Sequence, residues 1–209
     1  MYTLIYSITK ESAPDTVYVN LTNDCTNSCV FCLRSQKDDV CGSDMWHDDR
    51  YTLEDVIKQF EAYKPTPKQV VFCGYGEPFL KKDIMEGFAK YIRKNYPEII
   101  IRVNTNGHAN AIYKTNVADE FKDLLDEVSV SLNSDNTSQY NEICRPKIEN
   151  AYEEVKKFIK ACTSLGIKTT ASVVTGFDNK HIINVEACES IAHSLGANFR
   201  NREFIENGY

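Results

Sequence analysis

The sequence predicts an α/β fold in which six parallel strands curl into a partial (βα)6 barrel, preceded by one short extra strand. Three observations carry that reading. Strand-like and helical patterns alternate along the chain, capping signals mark several helix ends, and four successive strand ends carry polar or glycine-rich residues. With 209 residues, 42% hydrophobic and 26% charged, the chain is expected to form a single domain over residues 1–209.

Strand patterns fall at residues 17–21, 69–73, 99–104, 127–133, 168–177 and 198–204, and helical patterns at 52–63, 81–94, 117–125, 150–165 and 182–195. Thr52, followed three residues later by Asp55, signals a capping box, while Gly166 and Gly196 close the helices at 150–165 and 182–195. Strands separated by helices pair in parallel. Right-handed crossovers then curl the sheet into an open barrel, shorter than the eight-stranded form of about 250 residues. Residues 3–8 form a further strand-like run, set off by Ser12-Ala13-Pro14-Asp15 and expected to pair antiparallel with the first core strand. Residues 33–50, with five aspartates, read as a long loop in which Met45, Trp46 and His47 are expected to form a lid.

A net charge of −6 and a pI near 5.3 argue against generic nucleic-acid or anionic-membrane binding, because those partners reward a basic surface. No apolar run approaches the roughly 18 residues of a membrane span, and residues 1–14 lack a signal-peptide stretch, so a cytoplasmic location is expected. In a reducing compartment the eight cysteines read as metal ligands or packing groups rather than disulfides. Cys73, Cys162 and Cys188 fall in strand or helix patterns and read as small hydrophobes.

Ligands bind at the carboxyl ends of strands in this architecture, and the chemistry collects there. The first core strand leads into Cys25-Thr26-Asn27-Ser28-Cys29-Val30-Phe31-Cys32, and the second into Cys73-Gly74-Tyr75-Gly76-Glu77-Pro78. Asn104-Thr105-Asn106-Gly107 follows the third, and Ser131-Leu132-Asn133 ends the fourth. Three thiolates so close can hold a [4Fe-4S] cluster with one iron left without a protein ligand; alternatively they bind zinc, with Cys41 or His47 as fourth ligand. Arg200 and Arg202 lie two apart on a strand and share a face, directed either at a carboxylate or phosphate in the barrel or at surface acids. Tyr140, Cys144 and Arg145 follow the fourth strand and are further candidates for the cavity wall.

The cysteine trio, with three and then two intervening residues and Phe31 before the last cysteine, resembles the signature of the radical S-adenosylmethionine (radical SAM) superfamily. Gly74-Tyr75-Gly76-Glu77-Pro78 is similar to its glycine-glutamate motif. Phe72 to Pro78, Ser131-Leu132-Asn133, Cys144-Arg145-Pro146 and Phe199-Arg200-Asn201-Arg202 look most like the TatD-associated subgroup.

That resemblance implies that Cys25, Cys29 and Cys32 ligate three irons of a [4Fe-4S] cluster and that S-adenosylmethionine chelates the fourth. It further implies that Gly74, Gly76 and Glu77 meet the methionyl ammonium. Asn106, Ser131 and Asn133 would meet the ribose or the carboxylate, and the backbone at Phe31 and near Val173 the adenine. Reductive cleavage of the sulfonium to a 5′-deoxyadenosyl radical would follow, under anaerobic conditions, with an electron donor such as flavodoxin or ferredoxin and an unidentified small-molecule or peptide substrate. Glycyl-radical activating enzymes, deazaguanine synthases and a non-catalytic zinc or iron–sulfur protein stand as alternatives.

Overall fold

The computed structural model describes residues 2–9 and 14–205. Strands β1 (Ile5–Tyr6) and β2 (Thr16–Val19) pair antiparallel, as expected; of the turn proposed between them, Ser12 and Ala13 lie outside the described residues. The chain continues through a small hairpin, β3 (Asp39–Val40) and β4 (Ser43–Asp44), to α1 (Leu53–Glu61), β5 (Gln69–Phe72), α2 (Lys82–Asn95) and β6 (Ile100–Thr105). Then come α3 (Ala109–Tyr113), α4 (Val117–Glu120), β7 (Glu127–Ser131), α5 (Thr137–Cys144), α6 (Ala151–Ser164), β8 (Lys168–Thr175), α7 (Val185–Ser194) and β9 (Asn198–Glu203). The main sheet runs β1-β2-β5-β6-β7-β8-β9, parallel from β2 onward. It is an open (βα)6 arc, with β1 on one edge and β9 on the other.

One face of this arc is apolar. Val17, Val19, Val70, Phe72, Ile101, Val103, Val128, Val130 and Ala171 alternate along their strands and are buried against Phe88, Phe121, Phe158 and Ile159 of the helical layer. Thr52 and Asp55 form the expected capping box at α1, each side chain accepting from the other's backbone N–H. Gly166 and Gly196 adopt the left-handed conformation expected after α6 and α7, with φ of +77° and +83°.

Three helix assignments change. The expected helix at 117–125 shortens to α4, where the Phe121 N–H bonds both Val117 and Ala118 carbonyls, and a separate short helix, α3, precedes it and ends where Lys114 turns left-handed at φ 55°. The helix expected from 182 starts at Val185, since Asn184 caps it by accepting from the Ala187 N–H at 3.1 Å. Helix α5 carries too short an apolar stripe for periodicity to reveal: Tyr140, Ile143 and Cys144 alone are buried, and Asn136 supplies its cap.

In the long loop expected to form a lid, Met45 packs as core. Met45 is fully buried with Tyr6, Val40 and Tyr75 in a satellite core, and Asn20 at the end of β2 donates to the Met45 carbonyl at 2.7 Å while accepting from the Tyr75 N–H at 3.2 Å. Asn20→Ala strands both buried backbone groups and is expected to cost about 2–3 kcal/mol. Amide exchange at Tyr75 should accelerate in step, and an unchanged rate would remove Asn20 from that role.

Candidate functional site

The cysteine loop leaves β2 and lies on the unanticipated helix α5. Ser28 N–H donates to the Cys144 carbonyl and Val30 N–H to the Ile143 carbonyl, both at 2.9 Å, and Lys147 N–H returns to the Thr26 carbonyl at 2.8 Å. Cys25, Cys29 and Cys32 are all half-buried. Burial pushes the Cys25 thiol up to about 11 and raises Cys32, while a hydrogen bond with the Cys144 thiol, followed by burial, raises Cys29. Such thiols become thiolates when a metal displaces their protons.

The surroundings suit that exchange. Asn27 N–H at 3.4 Å and the Asn106 amide at 3.6 Å both donate to Cys25 Sγ, and the charge of Arg34 works against the upward shift at Cys29 and Cys32 without reversing it. A cleft of about 220 Å³ opens beside Cys29 and Cys32, with Arg34 and Arg145 on its walls. Among the described residues, no three His, Cys, Asp or Glu side chains gather closely enough to hold a single ion. A cubane cluster makes no such demand, since each thiolate meets a different iron. Cys41 instead directs its thiol to the Ile8 carbonyl at 3.3 Å, and His47 pairs with Asp49 at 3.0 Å. The donor set therefore fits a [4Fe-4S] cluster.

The glycine-glutamate loop is clamped against the cysteine loop. A Cβ on Gly76 would stand 2.4 Å from both the Thr22 and Asp24 carbonyl oxygens, and one on Gly74 would stand 1.9 Å from Asn20 Oδ1. Here the missing side chains admit the protein's own backbone and the Asn20 amide. Glu77 N–H completes the clamp with a bond to the Asp24 carbonyl at 2.8 Å. Two residues on, Phe79 anchors the loop in the core, its ring 5.4 Å from Phe121 and 5.7 Å from Phe158.

Glu77 is buried at 2% exposure and accepts from Thr105 Oγ1 and Asn106 N–H, each at 2.7 Å, and from Phe79 N–H at 3.2 Å. Burial drives its carboxyl up to about 7 against the pull of those donors. Asn106 spends its side chain on the cysteine loop, donating to Thr26 Oγ1 at 2.8 Å and accepting from His108 N–H at 3.0 Å. Asn133, left-handed at φ 60°, donates to Cys144 Sγ at 3.3 Å and leaves Oδ1 buried without a partner. That acceptor is a free contact for a bound molecule.

Ser131 ends β7 half-buried and in register with Ser172. Phe31 packs its ring 4.8 Å from Phe177. The Val173 side chain lies in the helix-facing core, so only its backbone is offered on β8, where it stands opposite Asn201 of β9.

Sequence reasoning missed His108, which is fully buried and bridges Thr26 Oγ1 at 2.9 Å to the Tyr140 hydroxyl at 3.0 Å. Burial lowers it to about 4, so it stays neutral and joins the cysteine loop to α5 by two hydrogen bonds. Its place just after Asn106-Gly107, at the third strand end, was the available signal.

No curated protein sequence matches the chain. Solved structures do: SuiB from Streptococcus suis bound to S-adenosylmethionine has a TM-score of 0.69 at 14% identity, over 93% of this chain and 42% of that one. anSMEcpe with bound AdoMet has a TM-score of 0.63 at 16% identity, over 90% and 51% of the two chains. Methylornithine synthase (PylB) has 0.63 at 11%, over 91% and 53%. The chain thus spans about half the length of these structures or less, and at such identities the likeness speaks to the fold. The sequence itself matches the Radical SAM superfamily family model across residues 19–187, from the last residue of β2 through the cysteine loop, the glycine-glutamate loop and strands β5 to β8. With this match and an open parallel arc carrying three cysteines at its first parallel strand end, the chain belongs to the radical SAM superfamily.

Proposed function

We propose that this protein is an enzyme that binds a [4Fe-4S] cluster through Cys25, Cys29 and Cys32 and cleaves S-adenosylmethionine reductively to act on a substrate held against the arc. The observation that carries the reading is the half-buried thiol trio, with amide donors at Cys25 and two guanidinium groups at the adjoining cleft. When bound, the cluster and S-adenosylmethionine supply an electron, a sulfonium to receive it and so a 5′-deoxyadenosyl radical.

The chain's own residues hold and orient. Helix α5 and the His108 bridge fix the cysteine loop, Glu77 offers a buried carboxylate suited to an ammonium, and Asn133 Oδ1 and Ser131 offer acceptors to hydroxyls. The backbone near Phe31 and Val173 is the proposed adenine contact, and a flavodoxin or ferredoxin the proposed electron donor. Within the superfamily the motifs from Phe72 to Pro78, at Cys144-Arg145-Pro146 and from Phe199 to Arg202 support a place beside the TatD-associated subgroup.

Reconstitution with iron and sulfide under nitrogen, reduction, and addition of S-adenosylmethionine should yield 5′-deoxyadenosine. A fully loaded, reduced protein that makes none would overturn the reading. Cys41→Ala should retain its iron and sulfide content; loss of both would favour a closed, non-catalytic site that includes Cys41.

A further inference from the structure

Backbone hydrogen bonds lace Cys29 to the last turn of α5, where Cys144 lies. Ser28 N–H and Val30 N–H, on either side of Cys29, donate at 2.9 Å to the carbonyls of Cys144 and Ile143. With both neighbours tied, Cys29 is held at the helix end. Its side chain packs against the core cluster that contains Cys144, and the two thiols share a hydrogen bond. Cys144 is fully buried, so no water competes for that contact.

A second buried group fixes the Cys144 sulfur from the other side. Asn133, 2% exposed at the end of β7, donates from its Nδ2 to Cys144 Sγ at 3.3 Å. An amide nitrogen can only donate, so the sulfur is the acceptor in this pair. The S–H of Cys144 is therefore not used toward Asn133 and remains available to another acceptor.

Proton counting sets the direction of the thiol pair once Cys29 ligates iron. As a thiol, Cys29 can donate to Cys144. As a thiolate it has no hydrogen and can only accept, and Cys144 then carries the one proton the pair retains. The bonds run from Asn133 Nδ2–H to Cys144 Sγ and from Cys144 S–H to Cys29 Sγ. Cys25 receives its donors from the amides of Asn27 and Asn106, whereas Cys29 receives a thiol. Hydrogen bonds to cluster thiolates favour the more negative, reduced cluster and so help to set its potential.

Resting on the function proposed above, we infer that Cys144 is a positioning residue that acts through Cys29: its buried S–H, oriented by Asn133, donates to the Cys29 thiolate and raises the reduction potential of the cluster. On reduction one electron passes from the external reductant to the cluster, and the Cys144 proton stays on its sulfur. Cys144 is a donor to a ligand and not itself a ligand.

Spectroelectrochemical titration of the reconstituted protein tests this, under nitrogen, at one pH and without S-adenosylmethionine. Cys144→Ala should keep the parent's iron and sulfide content and lower the equilibrium constant for one-electron reduction about tenfold, a fall of about 59 mV in midpoint potential. Cys144→Ser, whose hydroxyl still donates, should stay within about threefold of the parent. If the space left by alanine prevents folding, judged by circular dichroism, Cys144→Val fills it without a donor and carries the same expectation as alanine. The inference fails if the donor-free variant has the parent's potential, or if Cys144→Ser falls as far as that variant, since a packing change and not the donor would then be at work. It fails equally if a folded Cys144→Ala takes up no iron, because Cys144 would then be a ligand. The potential is read without turnover, so absence of 5′-deoxyadenosine would sink the proposed function and leave this measurement standing by itself.

Discussion

Gly76→Ala is expected to destabilise the protein by at least about 3 kcal/mol and to lower the iron it retains after reconstitution. The new Cβ would stand 2.4 Å from two backbone carbonyl oxygens, those of Thr22 and Asp24. Overpacking against flexible side chains typically costs 1–3 kcal/mol, and here no side chain can rotate away. Relief requires the two loops to part, which breaks the bond from Glu77 N–H to the Asp24 carbonyl, one residue before Cys25. Urea unfolding and iron analysis of the same preparation read both effects. A variant within about 0.5 kcal/mol of the parent and fully loaded with iron would show that the clamp does not set the cysteine geometry. Gly74→Ala makes a useful contrast, because its obstacle is the Asn20 side chain, whose loss of contact falls on the Met45 and Tyr75 backbone instead.

Glu77 should make stability depend on pH. Its carboxyl titrates near 7 in the folded protein and near 4.5 when unfolded, so the folded state holds the proton more tightly. The stability this contributes is fully present below about pH 4.5 and is lost as pH rises through about 7. At about 1.4 kcal/mol per pH unit, the loss amounts to about 3 kcal/mol. Glu77→Gln removes the titration. Its amide also faces the Asn106 N–H, but that cost does not vary with pH, so the comparison rests on slope alone. Measured without S-adenosylmethionine, the difference in unfolding free energy between variant and parent should move in the variant's favour by about 3 kcal/mol between pH 4.5 and 8. A flat difference would mean that the three donors at Glu77 keep it ionised throughout.

Some of this protein is legible because local rules act alone. The alternation of strand and helix, the capping box at Thr52 and the helix stops at Gly166 and Gly196 each depend on a few neighbouring residues, and all appear in the structure. The chemistry at four strand ends was legible for the same reason: in a parallel arc every strand points its carboxyl end to one rim. Helix α5 was not, because two turns with three buried residues give too little period to detect, although that helix carries the cysteine loop.

The sequence by itself determined the parallel α/β arc, the spacing of Cys25, Cys29 and Cys32 and membership of the superfamily, since each is written in short-range pattern. Tertiary structure alone decided what the glycines at 74 and 76 make room for, that Met45 is buried in a satellite core, and that His108 ties Thr26 to Tyr140. The reason is physical. Each of those facts concerns groups far apart in the chain, brought together by sheet curvature and loop packing, and no local propensity encodes such a distance.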